Sequence, residues 1–253
     1  MWIDLAFLLL LLGHVLGDFY LQSKTLAQQK EESAKALLRH GLLYALTLCA
    51  VLLAGLRFTQ GAALLAASAG LAHFLIDLLK FGFLKGQKKK ARFPRLVRHS
   101  FLLDQLLHLA SLGALWALFR QEIILRPFAT TEIAHLPALP IELALCFLLV
   151  LEPVGLLIAK ELLGGSVQAP QAEDAPGTIQ NAGKIIGWLE RVIVVLLLLY
   201  GQYSAIAFVL TAKSVARFKE IEQSRITAEY YLIGTLSSVA AAFGVVFLLG
   251  LCG

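Results

Sequence analysis

The chain reads as an all-α, polytopic helical membrane bundle of about six or seven spans. Three observations predict that class. Of its 253 residues 58% are hydrophobic and only 15% are charged. Its mean hydropathy is +0.77, well outside the range of ordinary soluble domains. The apolar residues also come in runs of about 20, the length that carries a helix across a hydrocarbon core, with no strand-type alternation between them.

By that ruler the spans fall near 2–21, 38–56, 61–81, 100–120, 141–159, 188–212 and 229–251. The first run, Trp2 to Leu12, has neither a basic leader nor a small-residue cleavage motif, so it is read as a retained helix. The sixth is ambiguous. Gly201-Gln202 sits in its middle, and two shorter helices meeting there would make a re-entrant hairpin, which membranes tolerate where the tip is buried in protein. The division expected is a four-helix unit over 1–120 and C-terminal helices over 121–253, with a linker-like, flexible loop near 163–183 rich in Gly and Pro.

Basic loops set the orientation. Lys85 to Arg98 holds seven Lys or Arg and no acid, and the loop over 22–39 carries Lys24, Lys30, Lys35 and Arg39. Both are expected on the cytoplasmic side of a bacterial inner membrane, which puts the N-terminus outside. The loop from Lys213 to Arg225 is basic too. Three plain spans after residue 98 would put it on the wrong side, and the hairpin would resolve that. The net charge of +5 fits loops facing lipid; no nucleic-acid motif accompanies it. The stretch 85–98 is the candidate surface for an anionic lipid or a protein partner. Cys49, Cys146 and Cys252 stand singly in apolar runs and read as small buried hydrophobes.

Ionisable residues inside the spans carry the functional signal, because each costs several kcal/mol at membrane depth unless it is paired. His14 and Asp18 are four apart in the first span, His73 and Asp77 in the third, and Asp104 and His108 in the fourth. Residues four apart share a helix face. His40 opens the second span. Counting from the cytoplasmic ends at 1.5 Å per residue puts the three pairs at one depth, roughly 10 Å in. Imidazole and carboxylate at a common level suit a divalent metal such as zinc, manganese or iron. The expected ligands are His14, Asp18, His40, His73, Asp77, Asp104 and His108, more than one four-coordinate shell needs, so some support others or two metals bind. Interhelical hydrogen bonds, worth about 1 kcal/mol each, or a proton relay, are the rival accounts. Gln22, Lys24, Lys80 and Gln105 are candidates for the cytoplasmic mouth, where they would hold an anionic headgroup. Glu152 and the Glu190-Arg191 pair are further internal charges, read first as ion pairs between helices.

Taken together these residues resemble the bacterial membrane family of unknown function DUF3307. Its pattern is His-x-x-x-Asp-Phe-x-x-Gln (His14, Asp18, Phe19, Gln22), a His opening the second helix (His40), His-x-x-x-Asp-x-x-Lys (His73, Asp77, Lys80) and Asp-Gln-x-x-His (Asp104, Gln105, His108). The likeness covers about residues 5–120, and Leu189-Glu190-Arg191 with Gly201-Gln202 extends it to longer members. The family has no established activity, so the resemblance implies a fold and a residue set, not a reaction. Its His/Asp pairs are similar in style to membrane-bound metal-dependent hydrolases, which is analogy alone.

The first reading is a metal-binding membrane protein that hydrolyses a phospholipid or other headgroup ester, with Asp18, Asp77 or Asp104 as general base. The second is a transporter or channel for a cation or proton using the same cluster. The third is a non-catalytic membrane component that recruits a partner. The outer halves of spans one, three and four offer only Asp4, Ser68 and Ser111 as polar groups, which favours a dead-ended site.

Overall fold

The computed structural model describes residues 4–90, 93–125, 138–163, 182–223 and 225–251. Among them there is no strand, only an isolated bridge between Leu56 and Leu125. Five helices are long and apolar enough to cross a membrane: Ala34–Gly55, Gln60–Gln87, Ser100–Phe119, Leu139–Leu163 and Arg225–Leu248. Leu5–Tyr20 and Tyr203–Ala216 are shorter apolar helices. Packing divides the chain into two units, residues 1–145 and 146–253. The linker over 163–183 falls, beyond Leu163 and before Ala182, outside the described residues.

The first unit is built on four helices. Helix α1 (Leu5–Val15) starts where the Asp4 carboxylate accepts from the Ala6 N–H at 2.7 Å, an ordinary N-cap. It runs into a π-helical turn, Leu16–Tyr20, in which the Leu21 N–H reaches back to the Leu16 carbonyl. Short α2 (Lys24–Gln29) is capped by Ser23, whose hydroxyl accepts from Leu26. Helix α3 (Ala34–Gly55) begins earlier than the apolar run, so His40 lies in its second turn. It buries Leu37, His40, Tyr44, Leu48 and Leu52 along one stripe.

Helix α4 (Gln60–Lys90) does not stop near 81 but continues to Lys90. Lys and Gln are good helix formers, and nothing breaks the helix before that point. Its buried stripe is Leu65, Ala69, His73 and Asp77. Helix α5 (Pro94–Arg98) opens on a proline at its first position. Helix α6 (Ser100–Phe119) fully buries only Asp104, His108 and Leu112, with Leu115, Trp116 and Phe119 partly packed against the core.

Helices α1 and α3 approach closely because Gly13 and Gly17 face α3. A Cβ on Gly13 would stand 2.6 Å from Leu48 Cδ1, and one on Gly17 2.9 Å from Tyr44 Cδ2. This is the small-xxx-small contact by which membrane helices bring their backbones together. The core beyond is apolar: Leu9, Leu10, Leu48, Leu52, Leu65, Ala69 and Leu112 form one buried cluster.

In the second unit, α7 (Ala138–Leu151, whose last six residues belong here) gives way at Glu152 to α8 (Pro153–Leu157) and a π-helical turn, Ile158–Leu163. The expected span over 188–212 is two helices, α9 (Ala182–Leu199) and α10 (Tyr203–Ala216). They part at Gly201, whose φ of +68° is the left-handed region that glycine enters without a Cβ penalty. Helix α11 (Phe218–Gln223) precedes α12 (Arg225–Leu248). Arg191 of α9 is buried, and its guanidinium donates to the carbonyls of Val150 and Leu151, the latter at 3.0 Å. It thereby occupies the unsatisfied C-terminal end of α7, where a cation is favoured. Glu190 pairs with Lys213, which also reaches Thr235 at 2.9 Å.

Candidate metal centre

The four helices of the first unit bring seven ionisable side chains of the transmembrane pattern to one end of their core. His14, Asp18, His40, His73, Asp77, Asp104 and His108 are all buried, none more than 4% exposed. The His14 ring lies 5.8 Å from His73 and 5.4 Å from His108, and His40 is 5.3 Å from His73. Helix periodicity aligns each pair on its own helix; the glycine contact and the π turn of α1 bring Asp18 up to the others.

Tyr44, one turn beyond His40, orients the rings. It stacks on His73 at 3.5 Å with 4° between planes, and His73 stacks on His108 at 4.1 Å. The Nδ1 atoms of His40, His73 and His108 have no hydrogen-bond partner; stacking holds His73 and His108 in place of the usual Nδ1 hydrogen bond. His14 is different. Its Nδ1 faces the Tyr44 hydroxyl and its Nε2 the Gln105 side-chain oxygen, both at 3.3 Å. Both ring nitrogens are engaged with protein groups.

Two carboxylate oxygens are left facing one imidazole nitrogen. Asp77 Oδ1, Asp104 Oδ1 and His108 Nε2 are buried and form no hydrogen bond. His108 Nε2 lies 3.5 Å from each of those two oxygens. An imidazolium between two carboxylates would draw in to about 2.7–2.9 Å. Each of these two distances instead matches the edge between neighbouring ligands, about 3.3–3.6 Å for a tetrahedron with 2.0–2.2 Å bonds. His73, Asp77 and His108 can each offer a ligand atom within 4.8 Å of the others, as can Asp18, His40 and His73.

The remaining oxygens are satisfied. Asp104 Oδ2 accepts from Lys80 at 3.0 Å, and Asp18 Oδ2 from the Gln105 amide at 2.8 Å. Gln22 donates to the Asp18 carbonyl. Lys80 therefore turns inward rather than to the interface, and Glu31 lies 3.8 Å from its ammonium. Lys24 stays exposed on α2. The lysine that enters from that loop is Lys30, which sequence reasoning counted only as a loop charge. Its ammonium lies 3.1 Å from Asp18, 3.3 Å from Asp77 and 3.0 Å from His40 Nε2. Burial opposes its charge, and the Asp18 and Asp77 carboxylates outweigh that cost, holding its pKa above the usual lysine range. A small cleft lined by Lys30, Glu31, Leu37, Asp77, Lys80 and Phe81 opens beside it.

No curated protein and no solved structure matches the chain. A family model does match, over residues 6–136, a range that holds every residue of the cluster. The chain belongs to the family described as protein of unknown function, DUF3307.

Proposed function

We propose that this protein holds a divalent cation between Asp77, Asp104 and His108, inside the membrane near its cytoplasmic face. The observation that carries the reading is the trio of buried, unbonded ligand atoms, Asp77 Oδ1, Asp104 Oδ1 and His108 Nε2. Such groups are expensive to bury without a partner. Charge agrees: Asp18, Asp77 and Asp104 outnumber Lys30 and Lys80 by one in this pocket, so a further cation is favoured.

A cation bound here would act as a Lewis acid and lower the pKa of water toward neutrality. In this reading Asp104, whose Oδ2 pairs with Lys80, would be the proton acceptor. Hydrolysis of a lipid or headgroup ester is the reaction this arrangement supports. The case for it over transport is the apolar core one turn further in. Beyond His14, His73 and His108 come Leu10, Ala69 and Leu112, all within the buried apolar cluster, which leaves a blind site open at the loop cleft.

The test is elemental analysis and melting of the detergent-purified protein, with His108→Ala and Asp104→Asn alongside. The parent should carry about one zinc, manganese or iron and the variants much less. Excess chelator should destabilise the parent by about 2.7 kcal/mol if the metal stood at a hundredfold its Kd, and leave the variants unmoved. Hydrogen bonding alone predicts about 1 kcal/mol per variant and no response to chelator, a result that would end the metal reading. Assay of the metal-loaded protein on phospholipid headgroup esters then tests the reaction.

A further inference from the structure

Next to the three-atom pocket is a second one, already filled by a side chain. His40 Nε2 lies 3.1 Å from His73 Nε2 and 3.3 Å from both Asp18 Oδ1 and Asp77 Oδ2. Two imidazole nitrogens and two carboxylate oxygens at this spacing form a donor set for zinc, manganese or iron. Among them sits the Lys30 ammonium, within 3.3 Å of three of the four.

An ammonium needs acceptors only, and the two carboxylates would satisfy it. The paired imidazoles are what a lysine pocket does not need. One ring nitrogen has a single in-plane hydrogen or lone pair, yet His40 Nε2 has four polar atoms within 3.3 Å. Shared coordination to one ion accounts for that crowding; hydrogen bonding from one nitrogen does not.

We infer that Asp18, His40, His73 and Asp77 form a second divalent-cation site, and that Lys30 is its built-in occupant, displaced when the metal enters. The inference deepens the proposed function, since Asp77 then serves one cation through Oδ2 and the other through Oδ1. Lys30 is placed to leave. It ends the six-residue α2 rather than lying within a long helix, and it lines the cleft that opens beside the cluster. Its flexible stem can carry the charge outward without moving the four helices.

The experiment is a titration of the detergent-purified full-length chain with Mn2+ or Zn2+, comparing the parent, Lys30→Met, Lys30→Arg and the double variant Lys30→Met/Asp18→Asn. The parent should bind a first equivalent tightly and a second at least tenfold more weakly. Lys30→Met should tighten the second equivalent at least tenfold, Lys30→Arg should not, and adding Asp18→Asn should remove the gain. With Mn2+, electron paramagnetic resonance of Lys30→Met should change from isolated-ion lines to a coupled spectrum at the second equivalent. One equivalent in parent and Lys30→Met alike overturns this inference and leaves the proposed function standing. No metal in either overturns both. One equivalent in Lys30→Met and none in the parent removes the proposed site and keeps this one. If Lys30→Met does not fold, the parent decides: a second equivalent at millimolar metal supports the inference and its absence overturns it.

Discussion

Lys30 Nζ and Asp77 Oδ2 lie 3.3 Å apart across a sequence separation of 47 residues, joining the first polar loop to the middle of the longest helix. Removing one partner of a buried pair strands the other. Lys30→Ala should cost about 3–5 kcal/mol, whereas Lys24→Ala, on the exposed face of α2, should stay within about 0.5 kcal/mol. Melting of the two variants in one detergent checks the contrast. The Lys30 pKa is raised on folding, so its contribution is fully present below the ordinary lysine range and is lost as pH climbs through the folded value.

Gly13→Ala should destabilise by about 1–3 kcal/mol, the usual cost of overpacking, because its new Cβ would meet Leu48 at 2.6 Å and the Leu48 backbone at 3.3 Å. Gly82→Ala is the control. Nothing lies within 4 Å of a Cβ there, and the variant should melt at or above the parent. Equal losses at both positions would contradict the close approach of α1 and α3.

Arg191→Ala should cost about 2–4 kcal/mol, since it leaves the Val150 and Leu151 carbonyls without their donor. Lys in its place can meet one carbonyl but lacks the planar fork, so Arg191→Lys should recover only part of the loss. Limited proteolysis and melting read both.

Glu31 lies 3.8 Å from Lys80, so the loop after α2 meets α4 ten residues before its end. Cysteines placed at Lys24 and at Arg95, both exposed, should therefore label from the same side, and by the basic-residue rule that side is the cytoplasm. Labelling from opposite sides would contradict the arrangement of α4 and α2 together.

The His/Asp pairs were legible in the sequence for a physical reason. A charged residue among Leu and Phe stands out, and spacing of four fixes a helix face. Lys30 had no such contrast. It stands among Lys24, Glu31, Glu32 and Lys35, where a lysine looks solvated, and only the turn of α2 brings it inward. Tyr44 hid for the opposite reason, as one aromatic in an apolar span, although its spacing of four from His40 was a usable signal. The glycines at 13 and 17 carried another. Helix ends were read from hydropathy, which stops where side chains turn polar. Backbone propensity does not stop there, so α3 starts four residues before the apolar run, at Ala34, and α4 continues to Lys90.

The π-helical turn over Leu16–Tyr20 makes the centre sensitive to the width of one turn as well as to residue identity. A wide turn holds one residue more than an α turn over the same rise. Deleting Leu16 would remove that extra residue and leave the helix beyond it in phase, whereas closing the turn with all its residues kept would swing everything beyond it about 100° around the axis. Asp18 would then face away from Lys30 and His40 with no change in its chemistry. A change in the width of that one turn would disarm the cluster as surely as mutating a ligand.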